Sequence, residues 1–141
     1  MIILDTNVVS EFGKPSPDGQ VSRWLEHNPI GDLYLCGPVV MELSFGAEDY
    51  LRRTGLDRYL KALKIHTENR FKGRIVEFVD PAPELAGRLR AEERARGRVL
   101  GLPDAMIAAI AIVHGATLAT RNVRDFEGLG VKLVNPFEAV R

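Results

Sequence analysis

A chain of 141 residues with 45% hydrophobic content can bury roughly two-thirds of its unfolded surface in one domain, which excludes intrinsic disorder and any need for covalent staples. The single cysteine, Cys36, excludes an intramolecular disulfide; it lies in the apolar run Leu33-Tyr34-Leu35-Cys36 and reads as a small buried hydrophobe in a reducing compartment. Lys+Arg and Asp+Glu balance at 19 each, which counts against a passive nucleic-acid-binding module but not against an enzyme that gathers its acids in one pocket and leaves a positive excess elsewhere.

From the N-terminus, the continuously apolar Ile2 to Leu4 reads as a buried strand of a parallel sheet. A short helix is expected from Val8 to Phe12, ended by the turn chemistry of Gly13-Lys14-Pro15-Ser16-Pro17. Asp18 is placed to cap the next helix, which carries Val21, Trp24 and Leu25 on one face. Leu33 to Cys36 is a second strand, and Pro38 opens a helix with the stripe Val39, Val40, Leu43 and Ala47. A helix through Leu56, Leu60 and Leu63 leads into a basic, less regular stretch from Lys64 to Arg74. Ile75 to Val79 is strand-like. Pro81 or Pro83 starts a helix with Leu85, Ala86 and Leu89 inward, broken between Gly97 and Gly101. Pro103 and Asp104 open a strongly apolar helix closed by Gly115. Thr117 to Thr120 and Val131 to Val134 complete the strands. Strands alternating with helices predict an α/β fold, a three-layer α/β/α domain over residues 1–141 with a mostly parallel sheet of four to five strands. No basic-then-apolar leader is visible, and the longest apolar run, Ala105 to Val113, is about nine residues against the ~20 that span a bilayer, so a cytoplasmic protein without a membrane segment is expected.

Four acids stand where apolar segments begin or end: Asp5, Glu42, Asp104 and Asp125. Each has an ordinary explanation. Asp104 can cap a helix and complement its dipole, an effect of about 1 kcal/mol; Glu42 can sit at the solvent edge of its stripe; Asp125 can pair with a neighbouring arginine. Asp5 fits such explanations least, because ligands in open α/β sheets sit beyond the carboxyl ends of the strands. Taken together the acids point to a site. Two carboxylates ~5 Å apart repel by roughly 3 kcal/mol at an effective dielectric of 20. No Lys or His accompanies them in sequence, so a hard divalent cation, Mg²⁺ or Mn²⁺, is the economical partner for all-oxygen donors. Zinc is disfavoured: His27, His66 and His114 are far apart, no second Cys exists, and each His reads as a surface or helix-end residue. A carboxylate-held Mg²⁺ keeps open positions suited to a phosphate oxygen, and the implied reaction is phosphodiester hydrolysis.

Rival phosphate chemistries lack their signatures. A haloacid-dehalogenase-type phosphatase wants a second Asp where Asn7 stands, a receiver domain wants an acidic pair and a late Lys, and neither nucleotide-binding glycine loop is present. The residues instead resemble the PIN-domain ribonucleases, and within them the toxins of VapBC-type toxin–antitoxin pairs, including the FitB-like branch. Ile3-Leu4-Asp5-Thr6-Asn7 is similar to the opening motif, and Val40-Met41-Glu42-Leu43 with Gly46 to the second. Leu102-Pro103-Asp104-Ala105-Met106-Ile107-Ala108 is similar to the third, and Ala119-Thr120-Arg121-Asn122 with Asp125-Phe126 to the fourth.

By position, the resemblance implies that Asp5, Glu42 and Asp104 are metal-site acids and that Thr6, Asn7 and Thr120 are polar residues beside them. Many relatives carry Asp where this chain has Asn122. An Asn carbonyl still serves a hard cation or orients a water, and a helical turn beginning at Asn122 would bring Asp125 onto the same face to supply the charge. The resemblance further implies an endoribonuclease toxin, a homodimer, and a small antitoxin that covers the site and binds operator DNA, so that DNA is reached only indirectly. A different class stays open: a catalytically weak member that acts as partner or co-regulator of a DNA-binding antitoxin. Arg88, Arg90, Arg94, Arg96 and Arg98 would make a stripe for RNA phosphates, but Glu92 and Glu93 interleave with them at salt-bridge spacing, which favours a solvated helix face; Arg52, Arg53, Lys61 and Lys64 fall under the same reading.

Overall fold

The computed structural model describes residues 1–139. Five short strands, β1 (Ile2–Leu4), β2 (Leu33–Cys36), β3 (Ile75–Val76), β4 (Thr117–Ala119) and β5 (Lys132–Val134), form one sheet in the order β3-β2-β1-β4-β5. Every pairing is parallel, with Ile3 of β1 opposite both Tyr34 and Leu118. Ile3, Leu4, Leu35 and Leu118 are wholly buried, as expected of strands covered on both faces. The chain builds outward from β1 to β3 and then returns to the other side of β1 for β4 and β5. The crevice between β1 and β4, where the strand order reverses, is therefore the place where such a sheet presents a site.

The flanking helices are α1 (Thr6–Val9), α2 (Gly19–His27), α3 (Gly37–Thr54), α4 (Arg58–Ile65), α5 (Ala82–Ala95), α6 (Leu102–Val113) and α7 (Val123–Phe126). Asp18 caps α2 as expected, accepting hydrogen bonds from Gln20 and Val21. Helix α6 buries Ala105 and every residue from Ile107 to Ala111, so it is a core helix, apolar nearly all round. It ends at His114 and Gly115, the latter at φ +60°, a backbone conformation that suits glycine.

Three expectations need correction. The first helix begins at Thr6 rather than Val8, because Asp5 itself is the N-cap and accepts from the Thr6 N–H at 2.8 Å. β3 stops at Val76 rather than running to Val79; its partner β2 turns into α3 after Cys36, so no ladder exists for later residues, and Val79 is exposed. Finally, the stretch expected to be irregular contains a π-helical turn, His66–Arg70, closed by the Phe71 N–H to the His66 carbonyl at 2.9 Å. The wide turn sets His66 and Phe71 both against Phe12, with ring centroids at 6.1 and 5.9 Å. His66 is thus at a helix end, as the C-cap of α4, but buried rather than at the surface. His27 ends α2, bonding the Arg23 carbonyl, and His114 is exposed at the end of α6. Cys36 is buried, and burial pushes its thiol up to about 12, with Asp5 and Glu42 adding to the effect.

Candidate active site

Asp5 ends β1 at the centre of the sheet, its N–H still on the ladder to the Ala119 carbonyl at 2.9 Å. One carboxylate oxygen caps α1. The other accepts the Thr120 hydroxyl at 2.7 Å across the crevice, with the Asn7 amide at 3.4 Å. Two strand ends that the fold makes adjacent are thus joined by one short bond between fully enclosed groups, as Asp5 and Thr120 are both buried. Thr120 also accepts the Asn122 N–H at 3.0 Å, and Asn7 accepts the Arg121 N–H at 3.1 Å. The loop after β4 is thereby laced to the loop after β1.

The other acids approach from helix N-termini. Glu42 lies in the second turn of α3, which starts directly after β2, and its Oε1 accepts the Thr6 hydroxyl at 3.0 Å. Asp104 is in the first turn of α6. Asp125 is in α7, whose N-cap is Asn122, and its N–H donates to the Asn122 carbonyl at 3.1 Å. The turn expected at Asn122 therefore exists.

Electrostatics shows that the four acids share a field. The Asp104 carboxyl is pushed up to about 6, first by burial and then by the charges of Asp5, Asp125 and Glu42. Glu42 is raised by burial and by Asp5, against the opposing hydrogen bond from Thr6. No cationic side chain is among the influences on either. Carboxyls held together this way destabilise one another unless a cation sits among them. Among the described residues no group of three or more Asp, Glu, His or Cys side chains is close enough to hold a metal ion by itself, so a hard cation among these carboxylates would take part of its shell from water.

Asn122 and Asp125 are both exposed. The structure brings Asp125 into the field at Asp104, whereas Asn122 is tied in through its backbone. Four of the five arginines in the row along and just after α5 are occupied elsewhere. Arg96 and Arg98 reach the buried Glu93, Arg88 reaches Glu92, and Arg90 donates to the Leu100 carbonyl. Arg52, Arg53 and Lys61 likewise pair with Glu48, Asp49 and Asp57 along their own helices.

One feature was not legible in the sequence. A groove of about 700 Å³ runs from Thr6 and Glu42 past Phe12, Leu43 and Leu63 to Tyr50 and Tyr59. The two tyrosine rings meet edge to face at 4.8 Å, with the Arg58 guanidinium over both. It is assembled from α1, α3 and α4, and residues so far apart carry no joint periodicity. Beside it Glu11 is buried, with one oxygen on Lys14 at 3.0 Å and the other without a partner among the described residues.

Comparison with known proteins gives the same architecture. The chain is 37% identical over 141 residues to the VapC ribonuclease Y4jK of Sinorhizobium fredii, covering 98% of this chain and 99% of that one. It is 33% identical to the toxin FitB of Neisseria gonorrhoeae, covering 97% and 99%. Its backbone superposes on that of a solved chain in the FitAB complex bound to an IR36 DNA fragment with a TM-score of 0.86 at 31% identity, covering 100% of this chain and 99% of that one. The PIN domain family matches residues 2–131, a span that includes all four acids, Thr120 and Asn122. This chain belongs to the PIN-domain family.

Proposed function

We propose that this protein is a divalent-metal-dependent endoribonuclease that cleaves RNA phosphodiester bonds, and the toxin of a type II toxin–antitoxin pair. The observation that carries the reading is the convergence of Asp5, Asp104, Glu42 and Asp125 at the carboxyl end of the parallel sheet with no cation among the influences on Asp104 or Glu42. Asp5, Glu42 and Asp104 are the carboxylates that would hold Mg²⁺ or Mn²⁺, directly or through its waters, with Asp125 or the Asn122 carbonyl completing the set. When bound, the ion lowers the pKa of a water and offsets charge on the phosphate. Thr120 and the Thr6 N–H fix both Asp5 oxygens, so the carboxylate presents fixed lone pairs. Thr6 orients Glu42, and Asn7 bridges Asp5 to the loop carrying Asn122.

The relatives named above are a VapC ribonuclease, a toxin, and a toxin-family complex on DNA. For this chain we infer an antitoxin whose apolar segment lies in the groove beside Glu42 and closes the site, with DNA reached only through that partner. A homodimer and a cytoplasmic location follow from the same reading; no helix among the described residues is long and apolar enough to cross a membrane. Asn122, in place of an acid, favours one alternative, a weakly catalytic partner that serves mainly to stabilise a DNA-binding antitoxin.

The test is Mn²⁺ titration of the antitoxin-free protein, following thermal stability and cleavage of a structured RNA, with Asp5→Asn and Asp104→Asn as controls. Stabilisation and cleavage that both vanish in the variants support the nuclease. Full activity in both variants would sink it, and metal binding without cleavage of any RNA selects the partner role.

A further inference from the structure

Arg121 is the cation nearest in sequence to the site residues Thr120 and Asn122. Its backbone N–H is fixed on Asn7, and Asn7 reaches Asp5. Its guanidinium carbon lies 3.8 Å from the centroid of the Phe137 ring, well inside the ~6 Å range of cation–π contact. Phe137 follows β5, the strand beside β4, packs against the core, and has its own N–H bonded to the Asn135 side chain at 2.9 Å. Thus an exposed arginine, ordinarily free to move, is laid on an anchored aromatic platform at the carboxyl end of the sheet.

Stacking occupies one face of the guanidinium and leaves its N–H edges free. Among the described residues Arg121 makes no ion pair, whereas Arg52, Arg53, Arg88, Arg96 and Arg98 do. Arg121 is not among the groups that shift Asp104 or Glu42. An acid-lined site repels a polyanion, and a cation held at its margin offsets that repulsion where the chain enters. The ligand chemistry that fits a fixed guanidinium with open donors is a phosphate diester, bound through two parallel N–H···O bonds.

We propose that Arg121, held on Phe137, is a substrate-positioning residue that binds an RNA backbone phosphate beside the carboxylate cluster. The proposal rests on the nuclease reading for its substrate. In this role Arg121 sets where the RNA lies, while hydrolysis stays with the acids. Phe137 contributes by keeping the guanidinium at the margin rather than letting it fold onto Asp5 or Asp125.

The test uses the full chain without antitoxin and three variants, Arg121→Ala, Arg121→Lys and Phe137→Leu. Initial rates are taken on a labelled structured RNA that the wild type cleaves with Mn²⁺. Binding of the same RNA is measured across a salt series in an Asp5→Asn background. Expected for Arg121→Ala is a KM at least tenfold higher with kcat within about threefold. Its log Kd against log salt should be shallower by about 0.7 to 0.9, the loss of one phosphate contact. Arg121→Lys should keep the slope and recover part of the KM. Phe137→Leu, which retains the charge, should raise KM with the slope unchanged. Mn²⁺-induced thermal stabilisation should be the same in all three. Wild-type KM and slope in Arg121→Ala overturn the proposal, as does a fall in kcat at constant KM or a lost Mn²⁺ response. A wild type that cleaves no RNA overturns the nuclease reading alone, because the salt series in the Asp5→Asn background still decides whether Arg121 contacts phosphate.

Discussion

Replacing Asp104 by Asn should stabilise the metal-free protein above pH 6 even though it removes a carboxylate that the proposed chemistry needs. The Asp104 carboxyl rises from an ordinary 3.8 to about 6, through burial and then Asp5, Asp125 and Glu42. An acid whose folded-state pKa lies above its unfolded value binds more protons when folded, so stability falls as pH climbs through that window and the penalty is complete above it. The interval of about two pH units corresponds to at most about 3 kcal/mol. Asp104 is only half-buried, and solvent screening reduces this to about 1.5 kcal/mol. A carboxylate in the first turn of α6 also gains about 0.5 kcal/mol from the helix dipole, which Asn forfeits. The net expectation is about 1 kcal/mol, a rise in Tm of about 3 °C for a chain of this size. The assay is thermal unfolding of both proteins in excess chelator from pH 4 to 8. Their difference should be near zero or negative at pH 4 and grow through pH 6, other titrating groups cancelling to the extent that the sites are additive. Added Mn²⁺ should reverse the order, since a ligand at a hundred times its Kd adds about 2.7 kcal/mol to a protein that binds it and nothing to one that does not. A variant less stable than wild type at pH 8, or a difference independent of pH, would refute the claim that the acids burden one another.

Thr120→Val should cost about 1–3 kcal/mol in denaturant unfolding, because the Asp5 oxygen loses its 2.7 Å donor and the Asn122 N–H its acceptor; Thr120→Ser should recover most of this together with Mn²⁺ affinity. His66, whose imidazole is held down at about 4 by burial and by Arg70, is protonated first in the unfolded chain, so stability should fall as pH drops from about 6.5 towards 4, and His66→Phe should flatten that acid arm. Asn122→Asp should tighten Mn²⁺ binding several-fold in calorimetry by adding a carboxylate at the N-cap of α7, while Asp125→Asn should weaken it. Phe71→Ala should lose about 3–5 kcal/mol, since the ring is fully buried against Phe12.

Residues whose meaning is local were legible in the sequence. A continuous apolar run followed by Asp reads as a buried strand ending at a carboxylate, and Asp5 does end β1. Pro38 and Pro103 mark the first turns of α3 and α6, which places Glu42 and Asp104 near helix N-termini that point at the sheet's carboxyl edge. What failed depended on partners. Whether Ile75 to Val79 pairs to its end is decided by where β2 stops, and the π turn at His66 packs against Phe12, more than fifty residues earlier in the chain. The tyrosine and arginine end of the groove and the Arg121–Phe137 stack are likewise contacts between distant segments.

The same distinction explains why the acid cluster could be inferred although none of its pairwise contacts could. Each carboxylate alone has a stable structural excuse: Asp5 caps α1, Asp104 suits a helix start, Glu42 accepts from Thr6. The hydrogen bonds hold Asp5 and Glu42 in place and are each worth only about 1 kcal/mol, whereas the α6 cap, Gly101, makes no side-chain bond and Asp104 gains only the helix dipole. These local interactions do not neutralise the summed charge, which is visible only when the strand order brings β1 and β4 together and delivers α3 and α6 to the same edge. Stability alone would favour replacing at least one of these carboxyls by an amide, and at Asn122 an amide is what stands. Asp5, Glu42, Asp104 and Asp125 do stand as carboxyls, with Asp104 pushed up to about 6 by burial and then by the other three, and on the reading proposed above the stability lost in the metal-free state is recovered when a cation binds.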